Sequence, residues 1–236
     1  MTAAQAAIEM VGFDADDTLW HSERYFQDAH AEFERIVGAY VDVTDVRVHE
    51  RLLAVERENV RLFGYGVKGM TLSMIEAAIA LTDARISGAD VHRLVQLGKG
   101  VLRHPVELLP GIRVAARHRI VLITKGDLVH QERKVAQSGL ADLFHRIEIV
   151  SEKDTASYAA LLEQFDVPPA AFAMVGNSYK SDVAPVLALG GWGVHVPYPL
   201  LWALERVEVD ASHPRLAVVE DAAGIPAAIE RLAGRR

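Results

Sequence analysis

Six short apolar runs constrain this chain more than any other feature: IEMVGF at 8–13, RIVLIT at 119–124, RIEIV at 146–150, AFAMVG at 171–176, WGVHV at 192–196 and RLAVV at 215–219. A strand with one wet face alternates apolar and polar residues. A short run that is apolar almost throughout is the pattern of a strand buried on both faces. From residue 119 onward these runs alternate with helix-like stretches, VHQERKVAQSGL, TASYAALLEQF, DVAPVLALG and IPAAIERLAG. That alternation implies βαβ units and a parallel sheet. Right-handed crossovers then give a doubly wound α/β sandwich of three layers. Half of the 236 residues are hydrophobic, enough to fill such a core.

One interval breaks the rhythm. Between Asp14 and Thr124 lie 109 residues, 15–123, whereas a strand–helix–strand unit needs only about 30. The excess reads as helical. Phe26, Ala29, Phe33, Ile36, Val37 and Tyr40 share one face at a 3.6-residue period. A second helix is expected over 44–62 with Leu52, Val55 and Leu62 among its apolar positions, and two more over 70–81 and 89–103. The spacing therefore predicts an α/β core domain from 1–20 and 106–236, interrupted by a helical cap domain at 21–105. The chain returns to the core through LLPGI, where Pro110 and Gly111 mark a turn before the next helix.

The bulk charge narrows the partners. A net charge of −7 argues against nucleic acid or an anionic membrane as the main partner. The absence of cysteine removes disulfides, thiolate metal sites and cysteine nucleophiles, and suits a reducing, cytoplasmic setting. No signal peptide and no membrane-length apolar run is expected. The oligomeric state is not readable from the sequence.

Ligands of open parallel sheets bind beyond the carboxyl ends of the strands, so the residues following each run are the ones that matter. After the first run comes an acid knot, Asp14, Asp16 and Asp17, followed by Thr18. After the second come Thr124, Lys125 and Gly126. After the third comes Lys153, and after the fourth come Asn177 and, five residues later, Asp182. Crowded carboxylates cost stability unless a positive group sits among them. Carboxylates, an amide and a hydroxyl at one sheet edge make a hard-cation site, and Mg²⁺ is the ion that takes oxygen ligands together with a substrate phosphate.

These motifs, in this order, resemble those of the haloacid dehalogenase (HAD) superfamily, specifically its phosphatases with an inserted helical cap. Asp14-Ala15-Asp16-Asp17-Thr18 resembles the D-x-D-x-T/V signature, Thr124 the second-motif Ser/Thr, Lys153 the family lysine, and Gly176-Asn177 with Asp182 the acidic metal motif. The resemblance implies that Asp14 is the nucleophile that forms an aspartyl-phosphate. It implies that Asp16 is the general acid and base, with its main-chain carbonyl a metal ligand. Thr124 and the backbone N–H groups of Lys125 and Gly126 would hold the phosphoryl oxygens, and Lys153 would neutralise charge. Asp14, Asp16, Asn177 and Asp182 would hold Mg²⁺. One departure stands out: Asn177 replaces the usual aspartate and brings no charge, leaving open whether Asn177 or Asp182 is the direct ligand.

Three functions follow for comparison. The first is a Mg²⁺-dependent phosphomonoesterase acting on a small soluble phosphorylated metabolite. The second is a 2-haloacid dehalogenase, whose relatives in the family lack the acid two residues after the nucleophile, so that Asp16 argues against it; a phosphomutase-type transferase stands beside it. The third is a binding module that keeps the fold without the chemistry. Trp20 and His21 stand where the cap connection begins, as packing or pocket residues, and Lys68 stands in a loop of the cap, either solvated or facing substrate.

Overall fold

The structure, a computed structural model, describes residues 8–42, 47–111 and 118–234, with the side chain of Arg47 left aside. All six apolar runs form strands: β1 (Met10–Phe13), β2 (Arg119–Lys125), β3 (Arg146–Val150), β4 (Phe172–Gly176), β5 (Trp192–His195) and β6 (Leu216–Val218). They pair in parallel in the order β3-β2-β1-β4-β5-β6. The chain thus winds outward from β1 in both directions, and β1 beside β4 is the topological switch point, where ligands of such sheets bind.

Neighbouring residues of each strand feed opposite cores, which is why the runs do not alternate with polar residues. On one face Val11, Ala173, Val175 and Val194 pack against Ile225, Ile229 and Leu232 of α8 (Ile225–Ala233). On the other, Met10, Val121, Ile123 and Met174 pack against Tyr158, Leu162 and Phe165 of α6 (Thr155–Phe165). Asp154 caps α6 by accepting from the Ser157 N–H at 2.8 Å. Between β2 and β3 lies α5 (Leu128–Ser138). After β4 comes a π-helical turn, Tyr179–Val183, leading into a short α7 (Ala184–Ala188). The helix expected after Gly111 falls on 112–117, outside the described residues.

The chain divides into two compact units. One comprises Met1–His21, Val106–Lys125 and Gln131–Arg236, and the other Ser22–Pro105 and Gly126–His130. The assignment of 126–130 to the second unit has no counterpart in the sequence pattern. The second unit carries α1 (Glu23–Val37), α2 (Arg47–Phe63), α3 (Val67–Leu81) and α4 (Gly88–Arg103). Ala29, Phe33, Ile36 and Val37 of α1, Leu52 and Val55 of α2, Met70, Met74, Ala77 and Ala78 of α3 and Leu94 of α4 form its core. Leu62 does not join them. It is 77% exposed in the last turn of α2, beside Phe63, which is 53% exposed. The Lys68 ammonium pairs with Asp127 at 2.7 Å within the same unit, and its side chain is 60% exposed.

Candidate active site

The site grows out of the end of β1. The Asp14 N–H donates to the Val175 carbonyl at 2.9 Å, extending the β1–β4 ladder by one residue. The chain then turns sharply: the Leu19 N–H donates to the Ala15 carbonyl and the Asp17 N–H to the Trp20 carbonyl. Asp17 adopts a left-handed φ of 62°, which aspartate tolerates better than most residues, so its role is in the turn. The turn brings Thr18 back beside Asp14, and the buried Thr18 hydroxyl donates to Asp14 Oδ2 at 3.0 Å. The same hydroxyl accepts from the Asn177 N–H at 3.0 Å, tying the ends of β1 and β4 together.

Lys153 sits behind this turn, 4% exposed. Its Nζ donates to Asp14 Oδ1 at 2.5 Å and to Asp182 Oδ1 at 2.7 Å. Asp182 is equally buried, and its second oxygen accepts from the Ser178 N–H at 3.0 Å. Gly176 makes this possible. A Cβ there would lie 2.2–2.5 Å from the Asp182 carboxylate and Cβ, so any other residue at the end of β4 would displace the acid. Burial drives the Asp14 carboxyl up to about 7, more than Lys153 pulls it down, and the Asp182 and Asp16 charges add to the rise.

Asp16 points elsewhere. Its carboxylate accepts from Trp20 Nε1 at 2.7 Å, from Gln131 Nε2 at 3.0 Å and from Lys134 Nζ at 2.6 and 2.7 Å. Burial works to raise its pKa, but the Lys134 ammonium and these donors outweigh burial and hold it below the ordinary carboxylate range. Trp20 is therefore a buried packing residue with a polar task, while His21 bonds the Tyr198 hydroxyl at 2.6 Å.

Thr124 closes β2, fully buried, its hydroxyl accepting from Gln131 Nε2 at 2.8 Å. The Lys125 side chain turns away to Glu205 at 2.9 Å, Ser181 at 2.9 Å and Glu152 at 3.3 Å. Glu205, from the long β5–β6 connection, also accepts from the Ser178 and Ser181 hydroxyls. Despite its burial, Lys125 and these hydroxyls keep it below its ordinary pKa. Gly126 opens the 126–130 segment with a φ of 140°, a conformation that glycine alone adopts readily, and belongs with the helical unit.

The sequence-expected metal ligands are only partly placed for that role. Both Asp182 oxygens are occupied by Lys153 and Ser178, and the Asp16 side chain is occupied by Lys134, Trp20 and Gln131. Among the described residues no group of three or more Asp, Glu or His side chains is arranged to hold a metal. Asp14 Oδ2 and Asn177 Oδ1 are different. Both face the single proton of the Thr18 hydroxyl, at 3.0 and 3.3 Å, so one of the two oxygens always keeps an uncovered lone pair. A buried carboxylate oxygen beside an amide oxygen, with one proton between them, fits a hard cation. The donor set would be one carboxylate, one amide and the Asp16 carbonyl.

The comparisons agree with this frame. Residues 8–190 match the family model described as haloacid dehalogenase-like hydrolase. The chain belongs to the haloacid dehalogenase-like hydrolases. A HAD-like family hydrolase from Xanthomonas campestris is 53% identical over 98% of this chain and 99% of its own, with a TM-score of 0.88. More distant solved structures share the fold: a 2-haloacid dehalogenase from Pseudomonas syringae pv. Tomato (20% identity, 95% and 99% covered, TM-score 0.58) and a putative β-phosphoglucomutase from Thermotoga maritima (18%, 94% and 99%, 0.63). No curated protein sequence matches the chain. As in this family at large, the chain is a hydrolase on a Rossmann-like core. No helix among the described residues is long and apolar enough to cross a membrane.

Three participants escaped the sequence analysis, Gln131, Lys134 and Glu205, and Thr18 was named there only as part of the first motif. Thr18 stands four residues after Asp14, the spacing of a tight turn. Gln131 and Lys134 stand one helical turn apart on α5, shortly after Thr124. Glu205 gives no local signal, because it arrives through a loop.

Proposed function

We propose that this HAD hydrolase is a Mg²⁺-dependent phosphomonoesterase for small soluble phosphorylated metabolites, with Asp14 as nucleophile. The observation that carries the proposal is Asp16: a carboxylate stands two residues beyond the Asp14 nucleophile, where alcohol release needs an acid and hydrolysis of the acyl-phosphate needs a base. Asp14 Oδ2 attacks phosphorus while Lys153 holds Oδ1, so the nucleophile is oriented through its other oxygen. Thr124 and the main-chain N–H groups that follow it bind the phosphoryl oxygens. Asp16 protonates the departing oxygen and then takes a proton from the water that cleaves the aspartyl-phosphate. Mg²⁺, held by Asp14, Asn177 and the Asp16 carbonyl, would supply charge neutralisation between two anions. Asp182 acts through Lys153 rather than as a direct ligand.

A second function has its own support. Asn177 brings no charge to the metal motif, and the Asp16 carboxylate is engaged by four donor contacts. Both features suit Asp14 attacking carbon in a 2-haloacid, with no metal needed. One experiment separates the two. Phosphate release from a panel of small phosphomonoesters, with Mg²⁺ and with chelator, is run beside halide release from 2-chloropropionate. Mg²⁺-dependent phosphate release that disappears in Asp14→Ala supports the phosphatase. Chelator-insensitive halide release with no phosphate release supports the dehalogenase.

A further inference from the structure

We propose that Lys134, with Gln131 one turn before it on α5, is a positioning residue for the Asp16 carboxylate; this rests on the phosphatase function above. Lys134 is 8% exposed, and its ammonium bridges both Asp16 oxygens at 2.6 and 2.7 Å. Among the described residues it makes no other hydrogen bond or ion pair. Burying an ammonium for one partner is expensive, and an apolar residue of the same size commonly serves stability as well or better. An ion pair kept there is therefore suited to specifying where the carboxylate sits.

The need for such a device is visible at the strand end. The Asp16 side chain is 29% exposed and lies near the Asp14 charge, so repulsion and solvent both favour its swinging outward. Lys134 opposes this from the helix side, and Trp20 Nε1 fixes one oxygen at 2.7 Å. Gln131 sets the distance to the phosphate site. Its one amide nitrogen, with two hydrogens to donate, lies within hydrogen-bond distance of Asp16 Oδ2 at 3.0 Å, the Thr124 hydroxyl at 2.8 Å and the Lys125 carbonyl at 2.9 Å. It links the group that would handle the proton to the group that would hold the phosphate. Gln131 Oε1 is buried without a partner, so this amide is held by its nitrogen contacts alone.

The test compares wild type, Lys134→Met and Lys134→Arg on two esters in Mg²⁺: p-nitrophenyl phosphate, whose leaving group needs little protonation, and an alkyl ester, glycerol 3-phosphate. Misplacing a proton donor costs most where the leaving oxygen is most basic, on the order of 100-fold. Lys134→Met is expected to lose about 100-fold in kcat on the alkyl ester and under about 10-fold on the aryl ester, with KM within about 3-fold. Lys134→Arg, which keeps a cation, recovers most of the alkyl activity. Equal losses on both esters, or none, overturn the proposal. Crystal structures of wild type and Lys134→Met decide it without any turnover, so they hold if neither ester is hydrolysed and the phosphatase function itself falls. A displaced Asp16 carboxylate in the variant supports positioning, and an unmoved one overturns it.

Discussion

Replacing Lys153 by methionine removes the one cation between two buried carboxylates, and the structure fixes how the cost should depend on pH. Its Nζ donates to Asp14 Oδ1 at 2.5 Å and to Asp182 Oδ1 at 2.7 Å. Breaking a buried pair by deleting one partner costs about 3–5 kcal/mol, because the remaining charge is uncompensated. In wild type the Asp14 carboxyl already titrates at about 7 against an ordinary 3.8, burial being the main cause. A carboxyl raised in the folded state leaves stability intact below its unfolded pKa. Stability is then lost as pH climbs from there to the folded value. Without Lys153 the folded value rises further, so the loss continues past pH 7 at about 1.4 kcal/mol per pH unit for each proton held. Urea unfolding of Lys153→Met should therefore show a loss of about 3–5 kcal/mol near pH 8 that shrinks by at least half near pH 5. Adding Asp14→Asn should restore about half of the loss near pH 8, because one of the two uncompensated charges is gone. A loss that is the same at both pH values, or below about 1 kcal/mol throughout, would refute the assignment of Lys153 as the counterion of buried, ionised acids.

Three further outcomes are expected. Gly176→Ala should cost about 2–4 kcal/mol and most of the activity, since a Cβ 2.2 Å from Asp182 Oδ2 evicts the acid from Lys153 and Ser178; denaturation within about 0.5 kcal/mol of wild type would contradict this. His195 is held below its ordinary pKa of 6.5, chiefly by burial, so it is neutral in the folded protein. Its contribution to stability is present above pH 6.5 and is lost as pH falls towards its folded value, and His195→Gln should flatten the acid limb of the stability curve. Leu62→Gln, at a position 77% exposed, should leave stability within about 0.5 kcal/mol by the same assay.

The sheet was readable because its strands are buried on both faces, so each run is apolar without alternation and all six lie where the sequence placed them. The α1 stripe was readable for a similar reason: Ala29, Phe33, Ile36 and Val37 fall at helical spacing and are buried together. Leu62 misled because an apolar residue in a last helical turn looks periodic whether or not anything packs on it. The strand-end rule located Asp14, Thr124, Lys153 and Asn177 near one another, since topology alone carries strand ends to one edge. It gave no indication of which way a carboxylate turns. Asp182 faces Lys153, which follows β3, and Asp16 faces Lys134 on α5, with Ser178, Trp20 and Gln131 adding their own donors. Such pairings depend on tertiary placement of long side chains, which no local spacing encodes. Glu205 is the extreme case, a buried acid delivered by an irregular connection.

The most direct test of the central claim is to ask where the phosphoryl group goes. Turnover of radiolabelled p-nitrophenyl phosphate in Mg²⁺ is quenched in acid, and the labelled peptide is mapped. Label on Asp14, absent in Asp14→Asn and absent with chelator, is the predicted result. Phosphate release with no label on Asp14 at any quench time, or undiminished release by Asp14→Asn, would contradict an aspartyl-phosphate at this site.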